Sequence, residues 1–565
     1  MEDCDLLSLE TGTTEDAVEI LKKFIEKHNQ TFTFHELNQN GRRQKLWSCL
    51  FDRLENPAEV PCYKNCLTCI RILSRDKTDL NELVCGSWLE TLLRHAGLVS
   101  QEEALSKINE SPVDYEVMLE AQKCLCNIIF NSPCAQALSS KNHSIEGVVM
   151  RLRTYRDPEL PHEIKVFDMK MLFLITALCA EVRPKLKNEL HGLTYLMETL
   201  DLILKEAGGE DHGDERGATS SDIQITLSDD QVTLACEVLK VLFNLTVKSG
   251  DQTSVDEEEE AHFLRLVSIL HDLLLCECQS CEKQDELHNH TVNLLMSIPS
   301  NCYEELMTPV QRSPHDPPKE FEYDGRNMEA VAVLLDFLNY KLNLAEQKKR
   351  SQHELLCPIL SVLVECARHH RALRKFMRQR VLPPLTEVHT RPEEGSTLRN
   401  KLCRLLTTPV TQVCDLAANF LFILCKENVM RMVKYTGYGN AAGLLAKRGL
   451  MLGGSGNSGS SSGAHYSSDS EDSDTEEYKK FKPQINIMTG CYEKPHPDPM
   501  APMTEEQKEY EAVRLVQMID QLAKDGIVQP CRIGEDGRPE PVGQALELIE
   551  DLSRQQQVKP TQDDD

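Results

Sequence analysis

Leu234 to Ser249, LACEVLKVLFNLTVKS, constrains the fold more than any other stretch of this chain. Leu234, Val238, Val241, Leu242 and Leu245 fall at i, i+4, i+7, i+8 and i+11, an apolar stripe of helical period. Leu239, Phe243 and Val247 carry apolar surface round the other side. A helix with this pattern packs on both flanks. Only a gap is left for Asn244, about 100° off the stripe at 3.6 residues per turn.

The pattern recurs. With Val241-Leu242 set against Cys124-Leu125, Asn127 falls under Asn244 and Ile128 under Leu245, while Ile72 takes the apolar place in CIRILSRD with Arg71 before it. Asn293-Leu294 and Asn419-Phe420 are further copies. The spacings between positions 71, 127, 244, 293 and 419 are one or two multiples of a period of about 50 to 60 residues. Stacked helical units of the armadillo or HEAT type give such a period when their loops are long. One unit cannot bury its own stripe, but a stack can, and it aligns the polar residue of each inner helix along one concave wall. The reading is an all-α helical-repeat solenoid over 1–451.

At 565 residues the chain exceeds one compact core, which fits several domains or one long solenoid. The formal charge of −28 argues against a nucleic-acid partner, since phosphate backbones require a basic surface. Twenty-two cysteines accompany an opening stretch, MEDCDLLSLETG, with no basic and apolar leader pattern, so free thiols in a reducing, cytoplasmic compartment are expected. Apolar runs such as Ala417 to Cys425 are far too short to span a bilayer.

Polar inserts punctuate the repeats at 206–222, 249–260 and 309–318. A Gly/Ser linker follows at 452–465, then an acidic segment at 466–503 beginning YSSDSEDSDTEEY. One more helix is expected over 504–526: Thr504 and Gln507 make a capping box, Ala512, Leu515, Val516, Ile519 and Leu522 form a stripe, and Gly526 ends it. Its apolar face either folds back onto the solenoid or is presented to a partner. Residues 527–565 read as disordered.

No catalytic signature or cofactor motif is found. Gly437, Gly439 and Gly443 in GYGNAAG have no strand before them, which argues against a dinucleotide site. Cys276, Cys278, Cys281, His288 and His290 form the densest group of soft ligands, yet Cys276 and Cys278 would point to different faces of a helix, so buried thiols are expected there and no metal. Arg71 and Arg75, at i and i+4, leave one face of an inner helix beside the Asn127 rung. Two planar forks on a concave wall suit capture of a carboxylate, including a chain terminus; the alternative is pairing with acidic neighbours such as Asp76 or Asp79.

Arg368 to Arg380 carries a basic run, RHHRALRKFMRQR, whose ordinary explanation is a solvated helix face. The acidic segment, however, places Glu471 three residues after Ser468 and Glu476 three after Ser473, matching an acid-directed protein kinase. Phosphates there, each adding roughly −1.5 to −2 charges, could dock on Arg371, Arg374 and Lys375 and tie the tail to the stack.

The segments RILSRDK (71–77), KCLCNI (123–128), KYTGYGNAAGLLAKRGLM (434–451), SDTEEYK (473–479) and MTEEQKEYEA (503–512) resemble the synembryn family, the last of them its A-type branch. The similarity runs in order over nearly the whole chain, although the 206–222 and 309–320 inserts match no family motif. The resemblance implies an armadillo/HEAT-like exchange factor and folding chaperone for heterotrimeric G-protein α subunits. Such proteins bind the α subunit GDP-bound or nucleotide-free, without βγ, and release it when GTP enters. It further implies that the groove for the α subunit's C-terminal helix falls on Arg71, Arg75, Asn127, Phe167 and Phe173, with Asn244 on the same wall. The tail helix would contact the GTPase core, Ser468 and Ser473 would be phosphosites, and Arg371, Arg374 and Lys375 their docking patch. The location implied is cytoplasmic with recruitment to the cell cortex. A plain armadillo scaffold or adaptor that binds peptides without nucleotide exchange is the alternative.

Overall fold

The computed structural model describes residues 3–38, 41–98, 114–209, 225–247, 257–310, 319–347, 351–452, 474–494 and 500–543. The chain forms two units, Met1–Glu305 and Leu306–Asp565. Helices of eight or more residues are numbered here in chain order.

In the first unit these are α1 (Asp3–Thr11), α2 (Thr14–His28), α3 (Arg42–Glu55), α4 (Tyr63–Leu73), α5 (Gly86–His95), α6 (Tyr115–Asn131), α7 (Ser144–Leu152), α8 (His162–Leu178), α9 (Gly192–Ala207), α10 (Asp229–Thr246), α11 (Glu257–Leu275) and α12 (Cys281–Ser297). Starts are set by side-chain caps. Thr13 and Asp16 make a capping box for α2, Asp114 accepts from the first turn of α6, Ser228 and Gln231 box the start of α10, and Ser280 caps α12.

The inner layer is α2, α4, α6, α8, α10 and α12, each packed on the next. A second layer of α3, α5, α7, α9 and α11 backs it, one helix behind each of α4, α6, α8, α10 and α12. α10 is the stretch the sequence singled out, and Leu234, Val238, Leu239, Val241, Leu242 and Leu245 on it are all buried. Burying a side chain of this size stabilises by roughly 1.5–3 kcal/mol. The unit is therefore held by repeat-to-repeat contacts, as in armadillo/HEAT-like stacks.

The double spacings in the sequence have a structural cause. Between Asn127 on α6 and Asn244 on α10 lies a complete inner helix, α8, in which Leu174 takes the place of the asparagine. A repeat unit is present there without its polar marker.

The second unit contains α13 (Glu329–Gln347), α14 (Gln352–His369), α15 (Arg371–Val381), α16 (Leu398–Leu405), α17 (Thr411–Leu424), α18 (Val429–Thr436), α19 (Tyr438–Arg448) and α20 (Glu505–Lys524). α14 and α17 pack on each other at its centre, with α13 and α15 against α14 and α16, α18 and α19 against α17. α14 fills the second double spacing, with Glu365 at the marker position.

Beyond the linker the chain does more than the sequence suggested. Residues 474–494 lie on this unit: Thr475 Oγ1 donates to Leu385 O, Tyr492 N to Val388 O at 2.7 Å, and the Tyr478 and Cys491 side chains are buried. Strand Ile485–Asn486 pairs antiparallel with Cys491–Tyr492. Tyr438 N and Gly439 N donate to Ile487 O and Met488 O at 2.9 and 3.0 Å, so the glycine-rich motif is a docking point for this hairpin.

The expectation of disorder over 527–565 is corrected for part of that range. Cys531–Ile533 and Pro539–Pro541 form an antiparallel pair, and Met451 N donates to Gly537 O at 3.2 Å, which seats its turn against the end of α19. Ser468 and Ser473 lie outside the described residues, as do most of the linker, 453–473, and 544–565.

Candidate partner-binding face

One stripe of each inner helix stays out of the core. On α4 it runs Lys64, Thr68, Arg71, and reaches Arg75 just beyond; on α6 it runs Glu116, Lys123, Asn127 and Phe130, with Glu120 just beneath. On α8 it runs Phe167, Lys170 and Phe173, and on α10 Thr233, Lys240 and Phe243. Spacings of three, four and seven residues put each set on one helical face.

Adjacent stripes are laced together. Lys64 Nζ meets Glu116 Oε2 at 2.7 Å. Arg71 Nε donates to Glu120 Oε2 at 2.8 Å, and Lys123 Nζ reaches Glu120 Oε1 at 2.8 Å. Burial works to raise the Glu120 carboxyl, but hydrogen bonds and charge from Lys123 and Arg71 outweigh it and hold the group below the usual carboxylate range. Arg71 thus pairs across the repeat boundary with Glu120, not with Asp76 or Asp79. Contact through Nε engages the side edge of the guanidinium, not its terminal fork.

Arg75 turns the other way. Its Nη1 donates to Asn29 O at 2.6 Å and its guanidinium covers the Phe32 ring at 5.3 Å. Burial, and then the nearby Arg71 charge, lower its pKa. The two arginines share a stripe and splay towards opposite neighbours.

The rings the resemblance pointed to lie in the same face. Phe167 is half-buried with Lys170 Nζ at 4.7 Å and Lys123 Nζ at 5.8 Å from its centroid, and Phe173 has Lys240 Nζ at 5.5 Å. Phe130 is exposed beneath Lys77 at 5.3 Å. A cation over a ring is attracted by its quadrupole, by about 0.5–1 kcal/mol where exposed. The face is therefore an alternation of apolar rings and positive charge, set in a chain of net charge −28.

Asn127 and Asn244 belong beneath this face. Asn127 Nδ2 donates to Arg71 O at 3.3 Å. Asn244 Nδ2 donates to Phe173 O at 3.3 Å and Thr176 Oγ1 at 3.0 Å, and its side chain is buried. Each amide is directed at the inner helix before it. Sequence reading missed Glu120 and the lysines; the Glu116, Glu120, Lys123 spacing on α6, in register with Lys64, Thr68 and Arg71 on α4, carried the signal.

On α15 the three docking candidates differ. Arg374 is buried with Nη1 on Ala367 O at 2.8 Å and Arg368 O at 3.3 Å, closing the last turn of α14. Arg371 is exposed and Lys375 half-buried. The soft-ligand group is likewise split: Cys276 is buried, Cys278 sits in a two-residue strand paired with Thr226–Leu227, Cys281 is exposed, and Gln284 Nε2 lies 2.8 Å from His288 Nε2.

A family model described as guanine nucleotide exchange factor synembryn matches residues 66–538. The protein named chaperone Ric-8A from Gallus gallus is 43% identical over 544 residues, covering 96% of this chain and 96% of the relative. Those of the same name from Danio rerio and Xenopus tropicalis are each 42% identical, covering 94% and 99% of this chain and 93% and 98% of their own. A chain from a solved structure concerning cadherin and beta-catenin superposes with a TM-score of 0.48 at 11% identity, over 79% of this chain and 73% of that one. The family match begins inside α4 and ends in the hairpin that closes the second unit, and the chain belongs to the synembryn family of guanine nucleotide exchange factors.

Proposed function

We propose that this chain is a guanine-nucleotide exchange factor and folding chaperone for heterotrimeric G-protein α subunits, taken up GDP-bound or nucleotide-free and without βγ. The observation that carries this reading is the ladder of Arg71, Lys123, Lys170 and Lys240 beside Phe167 and Phe173. An amphipathic helix ending in a carboxylate supplies apolar side chains for the rings and an anion for the Arg71 fork.

The α subunit's C-terminal helix, displaced from its own domain, occupies this face. Because the chain binds the displaced form better, it shifts the α subunit towards its open, empty state. Moving a 1:99 equilibrium to 99:1 takes about 5.5 kcal/mol of differential affinity, more than one shallow face readily supplies. The second grip is α20, which has no buried residue and is capped at Thr504 by its box with Gln507. Its apolar side chains hold the emptied GTPase core, and the chain between sets its effective concentration. Nothing is made or broken covalently, and the same grip on an unliganded fold serves a chaperone. An acid-directed kinase acting on Ser468 and Ser473, with Arg371 and Lys375 as the docking patch and the buried Arg374 holding the end of α14 behind them, tunes the tail's attachment. The site of action is the cytoplasm and its cortex.

The test is GDP release from a purified α subunit, with Arg71→Ala plus Arg75→Ala as the variant. Acceleration by the wild-type chain and its loss by about tenfold or more in the variant, assayed well below the thermal midpoint of each, is the expected result. No acceleration by the wild type would overturn the function; full acceleration by the variant would remove the face from the mechanism.

A further inference from the structure

α10 and α12 bring together a set of side chains that no part of the exchange mechanism uses. Cys236 on α10 and Glu286 and His290, one turn apart on α12, place a thiol sulphur, a carboxylate oxygen and an imidazole nitrogen within 4.8 Å of one another. Cys236 is buried and the other two are half-buried. Lys283 Nζ holds Glu286 Oε2 at 2.8 Å, which leaves the other carboxylate oxygen to a further partner. Beside them Glu237 is buried, with Oε1 on Lys240 at 2.7 Å and Oε2 without a hydrogen-bond partner among the described residues. That carboxylate is near enough for its charge to act on His290.

We propose that Cys236, Glu286 and His290 form a binding site for a divalent transition-metal ion, Zn2+ being the ion that suits it. A sulphur, nitrogen and oxygen donor set is within the zinc repertoire, and so is an open fourth position filled by water. Bonds of roughly 2.0 to 2.3 Å at tetrahedral angles put ligand atoms roughly 3.5 Å apart, so the group has about 1 Å to close, within reach of side-chain rotation. The i, i+4 spacing of Glu286 and His290 aims both from one face of α12. The imidazole is held towards its neutral, ligating form chiefly by burial, and the Cys236 thiol, pushed up to about 12 by burial, gives up its proton on binding. The ion braces two adjacent repeats one turn from Lys240, which covers Phe173, and so stiffens one end of the partner-binding face.

The experiment is Co2+ titration of the full-length protein carrying Cys281→Ser and Cys531→Ser, which removes two exposed thiols as competing ligands. One equivalent of Co2+ is expected to give a sulphur-to-cobalt charge-transfer band that Zn2+ bleaches, and Zn2+ is expected to raise the thermal midpoint. Cys236→Ser abolishes the band. His290→Gln, at a half-exposed position that leaves the core intact, weakens Co2+ binding by about tenfold or more. No band at one equivalent, a band that survives Cys236→Ser, or unchanged affinity in His290→Gln would overturn the site.

Discussion

The Asn244 side-chain amide on α10 donates to the backbone carbonyl of Phe173 on α8 at 3.3 Å, so a residue under the candidate face is fixed by the helix that presents one of its rings. The same amide reaches Thr176 Oγ1 at 3.0 Å. Asn127 repeats the relationship two repeats earlier, donating to the carbonyl of Arg71. One bond thus ties the packing of two repeats to the backbone that carries the Phe173 ring of the candidate face.

Asn244→Ala removes both of these bonds from a buried site. A net cost of about 1–2 kcal/mol is expected, since the donor disappears while the Phe173 carbonyl and Thr176 hydroxyl lose a partner. Urea unfolding monitored by circular dichroism, compared at equal slope, measures it. A midpoint equal to that of the wild type would mean the bond does not tie the repeats.

The repeat architecture was legible because α10 and α6 carry the same apolar register with an asparagine in one slot. It was legible only in part because the marker is a side-chain bond to the preceding helix, and α8 and α14 have Leu174 and Glu365 there instead. Arg71 lies on the outer stripe of α4, but Arg75 falls two residues past the end of that helix, and their directions depend on Glu120 and Asn29, which sit 49 residues after Arg71 and 46 before Arg75. Helical period gives the face of a side chain; it cannot give the neighbour across a repeat boundary. The docked hairpin at 485–492 was invisible for another reason. Its strands are two residues long and its stability comes from α18 and α19, not from its own pattern.

Asp168, fully buried on α8, supplies a pH dependence. Gln122 Nε2 donates to Oδ1 at 2.6 Å, Tyr155 Oη to Oδ2 at 3.2 Å, and Arg151 Nη1 stands 3.5 Å from Oδ1. Burial nevertheless wins over Arg151, Gln122 and Tyr155 and pushes the carboxyl up to about 6. A raised acid binds its proton more tightly in the folded state. Its contribution therefore weakens the fold as pH rises through the interval from 3.8 to about 6 and stays constant above it, by about 3 kcal/mol in all. Asp168→Asn removes that slope. It also leaves the Arg151 charge without its partner, which shifts the whole curve down. The measurement is stability against pH for both proteins: the gap between them should widen as pH falls from 7 to 4, and a constant gap would refute the assignment.

Gly437 takes φ 74° and ψ 150° at the end of α18, a conformation open almost only to glycine. A Cβ there would stand 3.1 Å from the Thr489 carbonyl carbon and oxygen and 3.2 Å from Gly490 N. Gly437→Ala is expected to cost about 1–3 kcal/mol, borne by the docked segment. Hydrogen exchange should speed up across residues 485–492 while the amides of α14 and α17 keep their protection. Uniform loss of protection would show instead that the hairpin and the helices unfold together.

α20 offers the cleanest separation of function from stability. Leu515 is 54% exposed and Met518 50%, and none of its residues is buried, so the stripe of Ala512, Leu515, Val516, Ile519 and Leu522 is uncovered by the described residues of its own unit. Leu515→Asp should leave the unfolding free energy within about 0.5 kcal/mol of the wild type, as for a surface substitution. Burying a leucine against a partner is worth roughly 1.5–3 kcal/mol, so the variant should weaken α-subunit binding by a factor of about 10 to 150. Combining it with Arg71→Ala decides whether the two surfaces hold one partner. If both grip the same α subunit, the losses add as free energies, and the double variant fails in the GDP-release assay at concentrations where each single one retains activity. A double variant no weaker than the worse single one would mean that only one of the two surfaces takes part in exchange.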